Sequence, residues 1–568
     1  MKNKMVTIIA LIAIIGFAVI SCDDGNPPGG DPRPETPEAM STITALEYFT
    51  DNNIKAGWNL GNTLDAVMFN GDVPVKAEET AWGNPAVTQA LLNGVKQSGF
   101  DIVRIPCTWF GHIGSAPDYI IDEARLKRVA EVVDYAKTAG IKAVIINIHH
   151  DGNYTQPEKG TWGFVEMKTA SSNTAKKNEI QNQITKVWTQ IAEYFKDYGD
   201  YLIFETLNEV HSGNWGFNAS NNEQNILFDW NQAALSAIRA TGGNNTTRFV
   251  AIPGLGSTEP EIVVAAHKRN KLLPNDGSNG TSKLIVSVHY YAPAQYTVAG
   301  VTDQAFQLIH TWGTQTEIDS LNHEMGLLKT NFIDKGIAVY IGEWGAPTDV
   351  RSSMNQTIKD THLNYIKSVA TAARQNGVIP VYWDDGGNFK VLERSNGKPK
   401  TGLWKDVLDT MITAITNTTP LPPGSGSKVI TINPNIYDDG SGTAAQHGYQ
   451  AKIPLSELLG GSIQVASGNT FTLTYTFTSN VAIDNLLVVL VDTREAVSWW
   501  AELSGYADIG AVTVGTPVSG TKTITATVTA GDSSNDANQL VLNIGESDST
   551  ASAPTLTFTA LTLVKNEL

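Results

Sequence analysis

The chain contains few cysteines and no excess of basic residues. Only two of its 568 residues are cysteine, and Lys and Arg number 40 against 57 Asp and Glu. Disulfide cross-links are therefore not expected to organise the fold. The formal net charge of −17 argues against a nucleic-acid partner, because phosphate backbones are bound by basic surfaces. Charged residues make up 17% of the chain and hydrophobic residues 41%, which is typical of packed globular domains.

The first 21 residues have the pattern of an export signal. Lys2 and Lys4 precede an apolar stretch at 5–20, which is short for a membrane span. The sequence that ends in Cys22 resembles the lipobox of bacterial lipoproteins, so we expect residues 1–21 to be removed and Cys22 to be acylated. This lipid anchor would hold the protein at the cell envelope or cell surface, facing outside the cytoplasm. The alternative is an ordinary signal peptide with an incidental cysteine.

Two segments rich in proline and glycine divide the rest of the chain. Residues 22–38 are predicted to form an extended tether, and residues 418–427 a linker. The tether precedes a large domain at 39–417, and the linker separates this domain from a small domain at 428–568. The other cysteine, Cys107, has apolar neighbours and is expected to be a buried thiol.

The large domain alternates short apolar runs with longer amphipathic segments. The apolar runs are predicted strands at 55–60, 101–106, 143–148, 201–206, 248–253, 284–289, 338–342 and 379–383. Helical patterns lie between most of them, for example at 122–139, 176–198, 222–240, 318–335 and 357–376. This alternation predicts an α/β fold, a (β/α)8 TIM barrel. A doubly wound open sheet is the alternative.

Polar residues stand at the ends of these strands, where the active face of such a barrel lies. They are Arg104, His149, His150, Asp151, Asn208, Glu209, His289, Tyr291, Glu343, Trp344, Trp383, Asp384 and Asp385. The set includes two glutamates, Glu209 after the fourth strand and Glu343 at the seventh. Two carboxyl groups are what hydrolysis of a glycosidic bond requires, since one protonates the leaving oxygen and the other attacks or activates water.

Segments of the large domain resemble, in order and spacing, the signature blocks of glycoside hydrolase family 5. They are GWNLGNTLDA (57–66), ETAWGNP (79–85), VRIPCTW (103–109), NIHHDG (147–152), FETLNEV (204–210), SVHYYAP (287–293), IGEWGAP (341–347) and YWDDGGNF (382–389). The first two blocks and the last also resemble its subgroup of broad-specificity endo-β-1,4-glucanases, which includes cellulases, lichenases and xyloglucanases. The resemblance covers residues 40–416.

The resemblance implies a role for each glutamate. Glu209, which follows Asn208, would be the acid/base, and Glu343 the nucleophile of a retaining double displacement through a covalent glycosyl-enzyme. The acid/base needs a pKa raised by burial and by the neighbouring charge, and the nucleophile needs cationic support. Arg104 is expected to give that support; the alternative is a structural salt bridge.

Further residues are expected to bind the sugar. The resemblance implies that Asn208 donates to the hydroxyl beside the anomeric carbon, that His149 contacts the sugar, and that Trp383 stacks beneath it. The full set of expected substrate-binding residues is Arg104, His149, His150, Asn208, His289, Tyr291, Trp383, Asn62 and Asp385. Tyr291 is expected to hydrogen-bond the nucleophile and His289 to join that network or contact the acid/base; the alternative for either is a satisfied core residue. Further stacking candidates, some of them expected to be core residues, are Trp58, Trp82, Trp109, Trp162, Trp215, Trp312 and Trp344. Many relatives have Asn where Asp385 stands and Phe where Trp344 stands, so sugar contacts are expected to differ.

No metal, redox cofactor or nucleotide is expected. Adjacent histidines on a strand point to opposite faces, so His149 and His150 should not share a metal, and no third ligand at suitable spacing accompanies them. The glycine-rich stretches do not follow strands with the spacing of a phosphate-binding loop.

The small domain has a different pattern. Alternating stretches at 470–478, 486–491, 521–528 and 555–563 predict an all-β sandwich. Two interpretations of its aromatic residues are open, a sugar-binding surface or an ordinary core. The residues concerned are Tyr437, Tyr449, Trp499, Trp500 and Tyr506.

Together these patterns predict a secreted, endo-acting hydrolase of β-1,4-glucosidic bonds in cellulose-like, mixed-linkage or xyloglucan chains, acting as a monomer. An endo-β-mannanase or xylanase of the same fold is the alternative among enzymes. A non-catalytic carbohydrate-binding protein is the alternative of another class, which the loss of either glutamate would favour. Both glutamates are present.

Overall fold

The structure is a computed structural model. It describes residues 33–152, 155–156, 160–161, 163–213, 215, 220–298, 308–421, 428–431, 433–437, 445–458, 463–493, 501–527, 536–544 and 554–565. The predicted export signal, Cys22 and most of the tether lie outside these residues, as do Trp162, Trp499 and Trp500. In the part of the chain that is described, no helix has the length and apolar character needed to cross a bilayer.

Eight parallel strands close into a barrel. Strands β1 to β8 span Gly57–Asn59, Ile102–Ile105, Ala143–Asn147, Leu202–Glu205, Val250–Pro253, Leu284–Tyr290, Ala338–Trp344 and Ile379–Tyr382. Each pairs with the strands before and after it, and β1 also pairs with β8. The predicted TIM barrel is confirmed, and the open-sheet alternative is wrong. Cys107, just beyond β2, is buried as predicted, and burial raises the pKa of its thiol to about 12.

Alternation along the strands sorts their side chains into an outer and an inner layer. Outward residues such as Val103 pack with the helices in the main hydrophobic core. Inward residues near the strand starts, such as Ile102 and Ile203, belong to a separate apolar cluster. Two residues further along the same strands, the inward residues are charged, Arg104 and Glu205.

Helices alternate with the barrel strands. Those of seven or more residues in the described chain are α1 Ala45–Asp51, α2 Gln89–Gln97, α3 Glu123–Thr138, α4 Thr174–Tyr194, α5 Asn221–Ala240, α6 Pro260–Lys268, α7 Gln315–Asn331, α8 Gln356–Gln375 and α9 Leu403–Asn417. Shorter helical turns are Met167–Ala170, Gly243–Thr246, Gly277–Asn279, Ala294–Thr297, Ile333–Lys335, Asp349–Ser352 and Leu455–Leu458. Helices α3, α4, α5 and α7 each begin after a polar residue whose side chain accepts a free backbone N–H of the first turn. These residues are Asp122, Asn173, Ser220 and Thr314. The five predicted helices correspond to α3, α4, α5, α7 and α8.

Helix α1 closes the amino-terminal end of the barrel. Thr44 and Glu47 form a capping box at its start. Tyr48 and Phe49 lie in the same apolar cluster as the inward residues of the strands, and the rings of Tyr48 and Phe249 are 5.1 Å apart. Apolar side chains therefore fill this end of the barrel.

The small domain consists of antiparallel strands in two main sheets. Strands β9 to β17 span Lys428–Thr431, Asn433–Tyr437, Ala445–Pro454, Thr470–Ser479, Ile483–Asp492, Ala507–Val512, Val518–Thr525, Gln539–Ile544 and Thr555–Lys565. One sheet has the order β9-β17-β12-β15 and the other β10-β11-β16-β13, extended by Ala501–Glu502 and by β14, both paired with β13. Residues of both sheets, such as Phe471 and Leu542, share one core. The predicted all-β fold is confirmed.

Short strand pairs complete the described structure. Val67–Asn70 pairs with Val73–Ala77, and Thr155–Gln156 with Gly160–Thr161, both in loops of the large domain. Ile463–Gln464 pairs with Asp536–Ala537 in the small domain. Of the aromatic residues considered for a sugar-binding surface there, Tyr506 is 42% exposed.

Candidate active site

Arg104 lies at the centre of the polar end of the barrel. It is an inward residue of β2, fully buried, and its guanidinium donates in three directions. Nη1 donates to Glu343 Oε1 at 2.8 Å, Nε to Glu205 Oε2 at 2.8 Å, and Nη2 to Asn208 Oδ1 at 2.6 Å. Because the guanidinium is planar and rigid, these contacts fix the relative positions of all three partners. The expected contact between Arg104 and Glu343 is present.

An irregularity in strand pairing places Glu343 beside residues of the neighbouring strand. Strands β6 and β7 pair regularly as far as Val288, where the register shifts so that His289 lies opposite Glu343. Irregularities of this kind re-aim side chains next to active sites. Tyr291, just beyond β6, donates from its hydroxyl to Glu343 Oε2 at 3.4 Å.

Glu209 lies in the turn after β4, in a left-handed backbone conformation with φ of 42°. This conformation is uncommon for a residue with a β-carbon, and the surrounding structure must hold it. Its Oε1 lies 2.7 Å from His289 Nδ1. Burial raises the pKa of Glu209 to about 7, with the charge of Arg104 opposing the shift and that of Glu205 adding to it. Near neutral pH this carboxyl is therefore able to give and to take a proton.

The two glutamates form a pair with unequal support. One carboxylate oxygen of Glu209 and one of Glu343 lie within 4.8 Å of each other and of a ring nitrogen of His289. Burial lowers the pKa of His289 to about 4, so its ring is neutral when it contacts Glu209. Burial raises the pKa of Glu343 and the charge of Glu209 adds to this shift, while the charge and the hydrogen bond of Arg104 lower it. Glu343 thus accepts a hydrogen bond from the Arg104 cation, which favours the ionised form of Glu343. Glu209 faces the neutral ring of His289, which is compatible with the protonated form of Glu209.

His149 and Trp383 form one wall of the site. Their ring planes are 6° apart with centroids separated by 6.0 Å. Trp383 packs on Gly61, where a β-carbon would lie 2.8 Å from the indole, so this position requires glycine. His149 Nδ1 lies 3.2 Å from the amide nitrogen of Asn147. This contact makes Nδ1 an acceptor and leaves the proton on Nε2, 3.8 Å from Glu343 Oε1.

The prediction that His149 and His150 point to opposite faces is wrong. Strand β3 ends two residues before His149, so strand alternation no longer applies, and the two ring centroids are 4.4 Å apart. Asp65 joins them, with the ligand atoms of the three residues within 4.8 Å of one another. The spacing in the sequence did not indicate this third group. Asp65 has a structural task, since its carboxylate accepts the N–H groups of Asn62 and Thr63 at 3.1 and 2.7 Å.

Asn62 and Asp385 lie in loops that are joined by one side chain. Asn84 donates to the carbonyl of Asn62 at 2.8 Å and to that of Asp385 at 3.0 Å. The carboxylate of Asp385 accepts the N–H groups of Gly387 and Phe389 at 2.7 and 3.0 Å. Asp385 therefore builds the turn in which it stands, and sugar contacts of Asn62 and Asp385 stay predictions.

Several tryptophans considered for stacking are core residues. Those buried in the main hydrophobic core are Trp58, Trp109, Trp312 and Trp344, and their interpretation as platforms is wrong, because a buried ring offers no face to a sugar. Trp82 is 37% exposed, with its ring 5.7 Å from that of His150. Trp215 stacks on His211 with centroids 4.1 Å apart, in the segment that follows Glu209. Trp82, with an exposed ring, and Trp215, with a half-buried ring, thus stay candidates for stacking.

A polar layer beneath the glutamates was not predicted. Its central residue is Glu205, which accepts from Arg104, Asn147, Ser287 and Tyr340. Asn59 accepts from Arg104 Nη1 at 3.1 Å and donates to the carbonyl of Gly342 at 2.7 Å. A signal was available, because Glu205 stands two residues after the inward Ile203 and must face the barrel interior as well.

The carboxyl end of this (β/α)8 barrel holds a buried arginine, neutral histidines and a pair of carboxylates. This combination is typical of the active site of a glycoside hydrolase. The family model described as cellulase, glycosyl hydrolase family 5, matches residues 68–388. The chain belongs to glycosyl hydrolase family 5. The predicted family and the predicted enzyme class, a cellulase-type glycoside hydrolase, are confirmed.

Individual relatives agree with this assignment. Endoglucanase B of Clostridium cellulovorans is 36% identical over 385 residues, which are 66% of this chain and 78% of the relative. A solved GH5-4 broad specificity endoglucanase from Bacteroides salanitronis aligns with a TM-score of 0.57 and 36% identity, covering 66% of this chain and 97% of that one. The Bacteroides ovatus GH5 xyloglucanase, solved with a XXXG heptasaccharide, has a TM-score of 0.56 and 26% identity over 68% of this chain and 80% of its own.

Proposed function

We propose that the protein is an endo-acting β-1,4-glucanase that hydrolyses its substrate with retention of anomeric configuration. The observation that carries this proposal is the close approach of Glu209 and Glu343, since one carboxylate oxygen of each lies within 4.8 Å of the other. Carboxyl groups about 5 Å apart suit direct attack on the sugar, whereas an inverting enzyme needs about 6.5 Å or more to hold a water between them.

In the first step an oxygen of Glu343 attacks the anomeric carbon. The bond from that carbon to the leaving oxygen breaks, and Glu209 transfers its proton to this oxygen, so that the departing chain leaves as a neutral alcohol. Arg104 and Tyr291 hold the attacking carboxylate through hydrogen bonds of 2.8 and 3.4 Å. The sugar is then an ester of Glu343.

In the second step water takes the place of the departed chain. Glu209, now ionised, removes a proton from the water as its oxygen attacks the anomeric carbon, and the ester bond to Glu343 breaks. The two inversions together retain the configuration. A carboxyl with a pKa of about 7 can act as the acid in the first step and the base in the second.

We expect three further side chains to act on the sugar. Arg104 donates to the Asn208 carbonyl oxygen at 2.6 Å, which leaves the amide N–H groups of Asn208 to donate to a sugar hydroxyl. His149 carries its proton on the nitrogen that faces the glutamate pair, and Trp383 offers a half-buried ring beside it. Sugar CH faces pack on such rings while the hydroxyls seek polar groups at the edge.

The choice of β-glucan rests on the relatives, which are named for endoglucanase and xyloglucanase activity. A neutral polymer also suits a chain with a net charge of −17. An endo-β-mannanase or a xylanase would use the same glutamate pair and differ in the residues around it.

We also propose that the enzyme is exported and held at the cell envelope by a lipid on Cys22, and that it acts as a monomer. The support is the export pattern at 1–21, the lipobox before Cys22 and the tether at 22–38, ahead of a catalytic domain at 39–417 and a sandwich at 428–568. The mass of the mature protein and the membrane fraction of a Cys22→Ser variant test the anchor. A mature protein whose mass shows no acyl group on Cys22 would contradict it.

The test of the enzyme function uses residues 23–568 with Glu209→Gln and Glu343→Gln in parallel. We expect release of reducing ends from carboxymethylcellulose, mixed-linkage glucan or xyloglucan, little from mannan or xylan, and loss of activity in both variants. Proton NMR of the first product should show the β-anomer. Activity that survives in both variants would refute the assignment, an α-anomer would refute retention, and cleavage of mannan or xylan alone would identify the alternative.

A further inference from the structure

We propose that Glu205 is a positioning residue of this reaction: its carboxylate holds Arg104 between the two catalytic glutamates and places a second negative charge beneath them. The inference rests on the proposed roles of Glu209 and Glu343. It concerns a residue that takes no direct part in either step, because it is fully buried in the barrel interior below the sugar-binding surface.

The contacts of Glu205 account for both of its carboxylate oxygens. Oε2 accepts from Arg104 Nε and Asn147 Nδ2, both at 2.8 Å. Oε1 accepts from Ser287 Oγ at 2.6 Å and Tyr340 OH at 2.9 Å. These donors come from β2, β3, β6 and β7, so a single carboxylate on β4 ties together strands on both sides of the barrel.

Arg104 is the route by which Glu205 reaches the reaction. Its Nε is held by Glu205, and its two terminal nitrogens then point to Glu343 and Asn208 at 2.8 and 2.6 Å. A guanidinium whose Nε is held by a hydrogen bond cannot rotate within its plane without losing one of these partners. Glu205 therefore sets the position of the group that supports the nucleophile.

Asn147 extends the same control to the sugar-binding wall. Its amide nitrogen donates to Glu205 and contacts His149 Nδ1 at 3.2 Å, and its oxygen accepts from the backbone N–H of Cys107 at 3.0 Å. The proton position on His149 is thus linked to the charge on Glu205.

The charge of Glu205 matters because three carboxyl groups surround one arginine. The titratable groups that face Glu205 from the packed elements are Arg104, Glu209, His289, Tyr340 and Glu343, with His149 one contact further away. Burial alone would raise the pKa of Glu205, but the charge of Arg104 and the hydrogen bonds from Ser287 and Arg104 lower it below its ordinary value. An ionised Glu205 repels a charge on Glu209 and favours the protonated acid.

Two substitutions separate the charge of Glu205 from its geometry. Glu205→Gln keeps the length and can direct its oxygen to Arg104 and Asn147 and its NH2 to the two hydroxyls, which are able to accept. It therefore removes only the charge. Glu205→Asp keeps the charge and withdraws the carboxylate from Arg104.

The experiment measures kcat and kcat/KM against pH for residues 23–568 and for Glu205→Gln, Glu205→Asp and Ser287→Ala, after thermal melts show cooperative unfolding. We expect Glu205→Gln to move the alkaline limb of the kcat/KM profile down by about one pH unit. Glu205→Asp should leave this limb in place and lower kcat about tenfold. Ser287→Ala removes a donor without changing a charge and should not move the limb.

Each outcome decides a part of the inference. A folded Glu205→Gln variant with an unmoved limb would overturn the electrostatic role, and a Glu205→Asp variant with the parent kcat would overturn the positioning role. If Glu205→Gln does not fold, the Glu205→Asp result still decides the positioning role, and a purely structural residue predicts a change in melting temperature with parent kcat in that variant. Glu209→Gln and Glu343→Gln belong to the same series, since residual activity in them would refute the proposed function independently of Glu205.

Discussion

The two halves of the barrel interior are built by the same strands and are opposite in character. In the amino-terminal half, inward residues such as Ile102 and Ile203 are apolar and close on Phe49 of α1. In the carboxyl-terminal half, Arg104 and Glu205 form a buried ion pair at 2.8 Å. Inward positions are two residues apart, so the change from one environment to the other takes place within about 7 Å along a strand.

This difference separates stability from activity within one core. Apolar side chains that pack without charges contribute stability and tolerate no polar group. Buried charges contribute little net stability, because desolvation offsets their attraction, and they persist where each is paired. The apolar half therefore contributes most of the packing energy, and the polar half holds the charged groups proposed to react. The following predictions test this division, from the largest expected effect to the smallest.

Glu343→Ala should lower kcat/KM on the preferred glucan on the order of 10³-fold or more, because the attacking group is lost. The melting temperature should stay near that of the parent, or rise, since a buried carboxyl is removed. Azide or formate added to the variant should restore part of the rate, as a small anion can enter the vacated space. A variant with parent activity would show that the polar half is not the reaction centre.

Arg104→Lys keeps the charge of the polar half and loses the three-directional donor geometry. We expect kcat/KM to fall about 10²-fold, because a lysine cannot hold Glu343, Glu205 and Asn208 at once. The melting temperature should also fall, since Glu205 loses part of its support. Kinetics on the preferred glucan and thermal denaturation check both, and parent kinetics would contradict the fixed geometry inferred for Arg104.

Phe49→Ala acts on the apolar half alone. Deleting a buried phenylalanine ring should lower the free energy of unfolding by about 3–5 kcal/mol, while kcat/KM at a temperature where the variant is folded should equal that of the parent. Val73→Ala is the matched control, because Val73 is 65% exposed and its truncation should change stability by less than about 0.5 kcal/mol. A large loss of kcat/KM in folded Phe49→Ala would show that activity depends on the apolar half as well as on the polar half.

The pH profile of the parent depends on the polar half. Since Glu209 must be protonated to act as the acid and its pKa is raised to about 7, kcat/KM should fall as the pH rises through about 7. Initial rates between pH 4 and 9 measure this limb, with melts at each pH as the control. A rate that stays constant up to pH 9 would exclude Glu209 as the acid.

Glu324 on α7 is a buried carboxyl in a setting without the arginine of the polar half. Burial raises its pKa to about 8, and the charges of Glu259 and Glu261 add to the shift. A folded-state pKa above the unfolded value gives stability that is present at low pH and is lost as the pH rises through about 8. Glu324→Gln should therefore raise the melting temperature at pH 9 and change it little at pH 5, unlike the exposed control Glu179→Gln. Equal changes at both pH values would contradict this.

Much of the fold and part of the site could be predicted from the sequence. The apolar runs that became β2, β3 and β4 are local features, because a strand buried on both faces needs several apolar residues in succession. Glu209 and Glu343 stood out because each follows or ends such a strand, and the family blocks around them are short and continuous. His149 and His150 were misread because the strand ends before them, and a strand end is the least certain feature of such a pattern.

The sequence by itself determined the strands and the helices and singled out the two carboxyls proposed to react, since these features depend on neighbours within a few residues. Only the tertiary structure decided that Glu205 meets Arg104, Ser287 and Tyr340, which lie 101, 82 and 135 positions away in the chain. It also decided that Trp58 and Trp109 are core and that Asp65 builds a loop. The physical reason is that a buried charge takes its properties from the groups that surround it in space, and barrel closure brings those groups from distant strands.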